Sequence, residues 1–583
     1  MKMKNSLLKK TTAGLFTAAT VLTMAAASTT ALAETTIENT DNNRNDNIVV
    51  QFGKTLHFSN TVTLPEKGYD NKALWFAFQF TPVESTVCAV NEMPTIGKDT
   101  VTVTTKNEGG ASETTKTINN VVAITGFSSD IDDNSDKDKS TGKGIITLES
   151  EDIIVDDNFT RAGEYIYEVS ELSESNFVAN NHTQTNDGWF TDSMTYDSKK
   201  YRMHVIVKNK ATVTESDKNP CYVEAVYFRE VVASQPSADT YTKVTNSDGS
   251  EGYELAAKVN TASLFDNAYV KEAGKNPNAN NSKSSLGITK TVTGKYGDKD
   301  KEFDFTIKLY EPNDDTLLNA IVKNASDFSS LTVKDGEITA ITAYVQNISD
   351  ASTAPTETNG QWISKVTLTK NDNNDEWIAT EVEYADTNKK AVKNVNGVPF
   401  QLTDGQYLTF ESLPAGFSYT VTEVLGDDDK NYTASAKIFE NIDLRHSGDS
   451  YTVTIGEKET TLNPIQQRLY AIANNIQITN NDDNNHSYPV WIASTSANKD
   501  IISVTKNTAG SSIITTDYTS NYDNTSNKLL IGEHDNSFDV INAFDDTSIT
   551  PTGLIVKNLP FIVMIGLGVL AFLGLTKKRR AND

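Results

Sequence analysis

The sequence predicts an all-β protein made of tandem β-sandwiches, and three observations lead there. From about Asn47 to Phe544, short alternating runs rich in Val, Ile, Thr, Tyr and Phe are separated by clusters of Asn, Asp, Gly and Ser, the pattern of strands joined by turns. Helical stretches are few. The clearest starts at Asn463-Pro464-Ile465, where Asn caps, Pro takes the first position, and Ile465, Leu469 and Ile472 recur at helical spacing. The third observation is a repeated order of elements. One region opens with IVVQFGKTLHF, continues with LWFAFQF, later carries AGEYIYEVSE and closes with SLFDNAY. The next opens with LGITKTVTG, continues with EFDFTIKL, later carries AGFSYTVTE and closes with SFDVINAF. Many short strands with buried alternate positions must pack sheet on sheet, so a duplicated sandwich follows.

The boundaries follow from composition. A stretch rich in Gly, Asn, Lys and Ser over residues 274–285 has linker character, dividing a first domain at 34–273 from a second at 286–548. The second carries extra sequence between Gly426 and Leu530. At 583 residues with 37% hydrophobic content, the chain is long enough for several cores. Its 78 acidic residues outnumber 52 basic ones, giving a net charge of −26. That balance argues against a nucleic-acid partner and suits a solvated extracellular surface. The only two cysteines, Cys88 and Cys221, cannot supply a disulfide framework. They are read either as one disulfide, if their strands adjoin, or as two unpaired thiols.

The ends indicate the compartment. Lys2, Lys4, Lys9 and Lys10 precede an apolar stretch from Ala13 to Ala27, and Ala31-Leu32-Ala33 offers small residues for cleavage. Residues 1–33 therefore read as a secretory signal peptide, with the mature chain beginning at Glu34. At the other end, Ile549-Thr550-Pro551-Thr552-Gly553 is followed by a mostly apolar run from Leu554 to Leu575 and by Lys577-Lys578-Arg579-Arg580. The apolar run stalls the exported chain and the basic cluster holds its tail inside. This layout over 549–583 resembles the cell-wall sorting signal of Gram-positive surface proteins, with ITPTG where LPXTG usually stands. The resemblance implies that a sortase cysteine cuts between Thr552 and Gly553 and holds Thr552 as an acyl-enzyme.

Between the ends, polar residues fall in apolar registers. Side chains two apart on a strand share a face, which aligns Lys54 with Val50, Phe52, Leu56 and Phe58, and Lys290 with Leu286, Ile288 and Val292. Glu171 follows Tyr165, Tyr167 and Val169, and Glu423 follows Phe417, Tyr419 and Val421. Asn267 lies between Phe265 and Tyr269, and Asn542 lies between Val540 and Phe544. A lone lysine in such a register is more often an edge residue or half of a buried ion pair. A complete Lys, Glu, Asn set in the same order in both regions points instead to chemistry. Burial lowers a lysine's pKa and raises a glutamate's. A neutral lysine could then attack an asparagine amide whose carbonyl a protonated glutamate polarises, expelling ammonia and leaving an isopeptide bond.

ITKTVTG, YTVTE, YIYEVSE and LFDN resemble the bonding strands of the streptococcal pilin isopeptide-linkage domain, found twice in backbone pilins, and VINAFDDTSITPTG places Asn542 shortly before the sorting signal as that family does. The resemblance implies immunoglobulin-like domains with bonds Lys54 to Asn267 and Lys290 to Asn542, assisted by Glu171 and Glu423. Asn480, in IQITNN, is the alternative partner of Lys290. The resemblance further implies a structural shaft subunit polymerised by a pilus-associated sortase, joined to other copies of itself and to peptidoglycan, with minor pilins and a host surface as further contacts. Such a subunit needs an exposed acceptor lysine. AAKVNTASLFDN puts Lys258 just before the bonding asparagine, with Lys271 and Lys243 as competitors. A wall-anchored adhesin that forms no shaft is the alternative reading.

No cofactor or metal is expected. Asp132, Asn134, Asp136 and Asp138 imitate the start of a calcium loop, but Lys137 and Lys143 occupy its glycine and glutamate positions. With six histidines, no CxxC and no HExxH, turnover of an external substrate has little support, so the chain reads as a non-enzyme whose chemistry is confined to its own crosslinks.

Overall fold

The computed structural model describes residues 36–38, 48–274, 284–441 and 529–547 with short interruptions, and isolated strands between 451 and 515. The signal peptide, the 549–583 signal, residues 275–283 of the linker, Asn480, the helix expected at Asn463, and Asp132 and Asn134 lie outside the described residues.

The fold is all-β. In the first region one sheet contains β2 (Leu74–Ser85), β3 (Gly163–Glu171), β5 (Lys200–Asn209), β6 (Cys221–Val232) and β7 (Glu251–Lys258), and extends beyond β2 through Glu113–Phe127 and Asp99–Lys106. The facing sheet contains Lys143–Glu149, β1 (Gly53–Ser59), β8 (Phe265–Lys271) and β4 (Asp192–Thr195). Their inner faces meet in one core that includes Phe52, Phe58, Phe76, Phe78, Tyr167 and Phe265. The LWFAFQF run is continuous rather than alternating because both faces of β2 are covered. Phe76 and Phe78 enter the main core, while Trp75 and Ala77 pack on the other side with Val101, Val103 and Val121.

The second region starts with β9 (Leu286–Thr293), followed by β10 (Phe303–Tyr310), β11 (Gln406–Phe410), β12 (Ser418–Val424), β13 (Tyr432–Asn441) and, after a long excursion, β14 (Ser537–Phe544). These belong to one hydrogen-bonded path running from β13 through β14, β9 and β11 and, by three intervening strands, to β10 and β12. The path curls so that its two parts enclose a shared core with Ile288, Phe305, Trp377, Tyr419 and Val540 buried together.

Among the described residues there is one α-helix, α1 (Asp315–Lys323), which the sequence pattern does not single out among its strand-like neighbours. Its signals are local. Asp314 caps it, accepting from Thr316 N at 3.0 Å and Leu317 N at 3.1 Å, and Leu317, Ala320 and Ile321 form its buried stripe. Asp314 also joins the regions, since its other oxygen lies 2.8 Å from His57 Nδ1 on β1. The joint continues where Ala273 N donates to Leu413 O at 2.8 Å, and where Glu272 accepts from Ser412 Oγ at 2.8 Å. No helix among the described residues is long and apolar enough to cross a membrane.

Candidate functional site

Two buried trios have the same construction. β8 runs parallel to β1 with Phe265 opposite Lys54, which sets Asn267 two residues further on, opposite Leu56. β14 runs parallel to β9 with Val540 opposite Lys290, which sets Asn542 two residues further on, opposite Val292. Neighbouring parallel strands hold equivalent residues about 4.8 Å apart, so a lysine chain reaches obliquely to the asparagine on the same face. The glutamate comes from elsewhere in each fold: from β3 on the facing sheet in the first region, and from β12 in the second. The structure thus brings together Lys54, Glu171 and Asn267, and separately Lys290, Glu423 and Asn542.

Both lysines and both asparagines have zero solvent exposure, which removes the water that would otherwise stabilise an ammonium. Lys54 Nζ donates to Glu171 Oε2 at 3.0 Å, and Asn267 Nδ2 donates to Glu171 Oε1 at 2.7 Å. In the second trio Lys290 Nζ and Asn542 Nδ2 both donate to Glu423 Oε1, the latter at 2.9 Å. Burial lowers both lysines from the ordinary range to about 8, against the opposing pull of their glutamates. Burial raises Glu171 to about 6 and raises Glu423 as well. Aromatic rings close the pockets: Lys54 Nζ lies 5.3 Å from the centroid of Phe76, and Lys290 Nζ lies 4.0 Å from that of Phe303.

The position of each carboxylate differs from the sequence expectation. It touches the amide nitrogen of the asparagine, the group that would leave, rather than polarising the carbonyl. Each glutamate therefore bridges the lysine amine and the asparagine amide nitrogen, a placement that suits transfer of a proton from one to the other. In the first trio the carbonyl oxygen has its own donor, the backbone N–H of Asp197, at 2.8 Å from Asn267 Oδ1. No side-chain pattern announces that contact, so sequence reasoning has no means of finding it. Among the described residues Asn542 Oδ1 and Glu423 Oε2 have no hydrogen-bond partner.

The remaining candidates lie apart from the trios. Lys258 ends β7 opposite Arg229, half-buried, with its Nζ 4.8 Å from the ring centroid of Tyr227. Lys243 is exposed and pairs with Glu251 at 2.6 Å, and Lys271 is half-buried. Cys88 and Cys221 are free thiols, the first half-buried and the second buried.

These features define a β protein with two internal amine, carboxyl and carboxamide constellations. A family model described as a domain of unknown function (DUF7601) matches residues 284–348 and 349–467. The chain is similar to the major pilin from Streptococcus pyogenes, at 13% identity over 85% of this chain and 99% of that one, with a TM-score of 0.20. It is similar also to the T3.2 major pilin of the same organism, at 14% identity over 85% of this chain and 98% of that one, with a TM-score of 0.19. A pilus-presented adhesin matches at 9% identity over 78% of this chain and 97% of that one, with a TM-score of 0.16. No curated protein sequence matches the chain.

Proposed function

We propose that the protein is a pilus shaft subunit, secreted and joined covalently to its neighbours and to the cell wall by a sortase, and stabilised by two isopeptide bonds that it forms within itself. The observation that carries this reading is the duplicated trio: a lysine, a glutamate and an asparagine buried in contact, twice, on equivalent strands. Two such buried sets are a costly way to build a core and an effective way to bring reactants together in water-free surroundings. The ITPTG element and the apolar and basic segments after it supply the anchoring half of the reading.

The reaction balances within each trio. A proton passes from the lysine ammonium to the glutamate, giving a neutral amine and a neutral acid. Nζ attacks Cγ of the asparagine, and the amide oxygen takes the electron pair. As the Nζ–Cγ bond forms, the glutamate gives its proton to Nδ2 and receives one from Nζ. The Cγ–Nδ2 bond then breaks and ammonia departs. Glu171 serves Lys54 and Asn267; Glu423 serves Lys290 and Asn542. In the purified mature protein, intact-mass spectrometry is expected to find a deficit of one ammonia per bond. The full unmodified mass would sink the crosslinking reading.

Polymerisation uses other groups. The Thr552 acyl-enzyme of one subunit is expected to be attacked by Lys258 of another. Lys258→Ala should leave the mass deficit intact and abolish the high-molecular-weight ladder in immunoblots of wall extracts, with monomers still reaching the wall. Changing Thr552 to Ala should abolish both polymer and wall attachment, because no acyl-enzyme forms. A normal ladder in the Lys258 variant would move the acceptor role to Lys271 or Lys243. A single wall-linked band in wild type would support the adhesin reading instead.

A further inference from the structure

We infer that the backbone N–H of Asp197 serves as an oxyanion donor for the first crosslink, a donor with no counterpart among the described residues of the second. The inference rests on the crosslinking reading above. When Lys54 attacks Asn267, negative charge develops on Asn267 Oδ1, and that atom already accepts from Asp197 N at 2.8 Å. A preorganised backbone donor inside a water-free site is worth far more to a developing oxyanion than to a neutral carbonyl.

The donor is held firmly. Asp197 lies between β4 and β5, and its carboxylate fastens the turn at two points. Oδ1 accepts from Lys199 N at 2.9 Å, and Oδ2 accepts from Asp266 N, beside Asn267 itself, at 2.9 Å. The same N–H fixes which way the carboxamide faces, because a donor can meet only the oxygen. That choice aims Nδ2 at Glu171 Oε1, 2.7 Å away. One backbone group thus both stabilises the oxyanion and presents the leaving nitrogen to its acid.

In the second trio, Asn542 Oδ1 has no partner among the described residues, and neither has Glu423 Oε2. Among the described residues the carboxamide is held by the carboxylate that also holds Lys290. Among the described residues Glu423 is the group placed both to orient the amide and to move the proton, and none of them offers Asn542 Oδ1 a donor.

The test follows each bond separately in the full mature chain. Unreacted protein is recovered in denaturant after brief expression, folding is started by dilution, and samples are quenched, digested and scored by mass spectrometry for the 54–267 and 290–542 linked peptides. Asp197→Pro removes the N–H. As a second variant, the α-hydroxy acid analogue of aspartate at position 197 replaces N–H by oxygen and keeps the side chain and its two anchoring bonds. Loss of one oxyanion donor is expected to slow the first bond by about 100-fold while the second forms at its wild-type rate. A first bond forming in the ester analogue within about threefold of wild type, well short of the loss a missing donor brings, overturns the inference. If neither bond forms in wild type, the crosslinking reading itself fails, an outcome distinct from the other two.

Discussion

Replacing Glu171 by Ala is expected to abolish the first crosslink alone, adding back the mass of one ammonia, and to lower the stability of the first region more than replacement of either other member of its trio. Two losses combine. A crosslink between Lys54 and Asn267 closes a loop of about 200 residues, and removing it frees the unfolded chain by about 5 kcal/mol on the chain-entropy account. The variant also leaves Lys54 fully buried beside Phe76 with no carboxylate partner, and stranding one member of a buried pair costs about 3–5 kcal/mol. For a domain of this size the crosslink loss corresponds to a fall in Tm of about 10–20 °C. Lys54→Met, which removes the crosslink but leaves no unpaired ammonium, should fall by less, although it strands the Glu171 carboxyl, which can protonate. Calorimetry of the two variants checks the order. Equal Tm values for wild type and Glu171→Ala would show that the glutamate does not make the bond.

Asn267→Ala, which keeps the lysine and the glutamate but removes the electrophile, is expected to acquire a stability profile with a trough near neutrality. The folded state raises Glu171 from 4.5 to about 6. Between those values the folded chain holds a proton that the unfolded chain has released, so stability falls as pH rises. The folded state lowers Lys54 from 10.5 to about 8. Between those values the unfolded chain holds the extra proton, so stability rises with pH. The trough lies between about 6 and 8, where the pair is buried with its charges separated. If its lysine is converted to an amide as proposed, wild-type protein should lack the rise on the alkaline side. Urea titrations from pH 4 to 10 test this, and an alkaline rise of equal size in both proteins would refute it. On the proposed chemistry, the same shifts are expected to confine crosslinking to that window. Below about 6 the amine and the acid both carry their protons and the nucleophile is lost; above about 8 the pair has lost the proton that the leaving nitrogen needs.

Much of the site is legible in the order of residues. Period-two alternation puts Lys54 with Phe52 and Leu56, and Lys290 with Ile288 and Val292, because neighbouring positions on a strand must face opposite ways. A polar residue in such a register is visible as a break in a pattern, and its recurrence in two regions makes the break informative. The helix at Asp315 is also present in the residues, in the cap at Asp314 and the spacing of Leu317, Ala320 and Ile321, but the strand patterns on both sides of it obscure so short a signal.

Other features depend on the tertiary structure alone. Which strand lies beside which is a matter of long-range pairing, so only the parallel register of β8 on β1 and β14 on β9 brings each asparagine within reach of its lysine. Which atom of the amide each glutamate touches is set by the way the carboxamide is turned within the packed core, and it is the nitrogen. The donor at Asp197 is a backbone group, which every residue but proline carries, so its presence in a sequence says nothing about its use. The sequence by itself determined the β architecture and which lysine, glutamate and asparagine residues are buried, because burial follows from local alternation. The structure alone decided how those residues meet, because contact between residues far apart in the chain is set by the packing of sheets rather than by any local pattern.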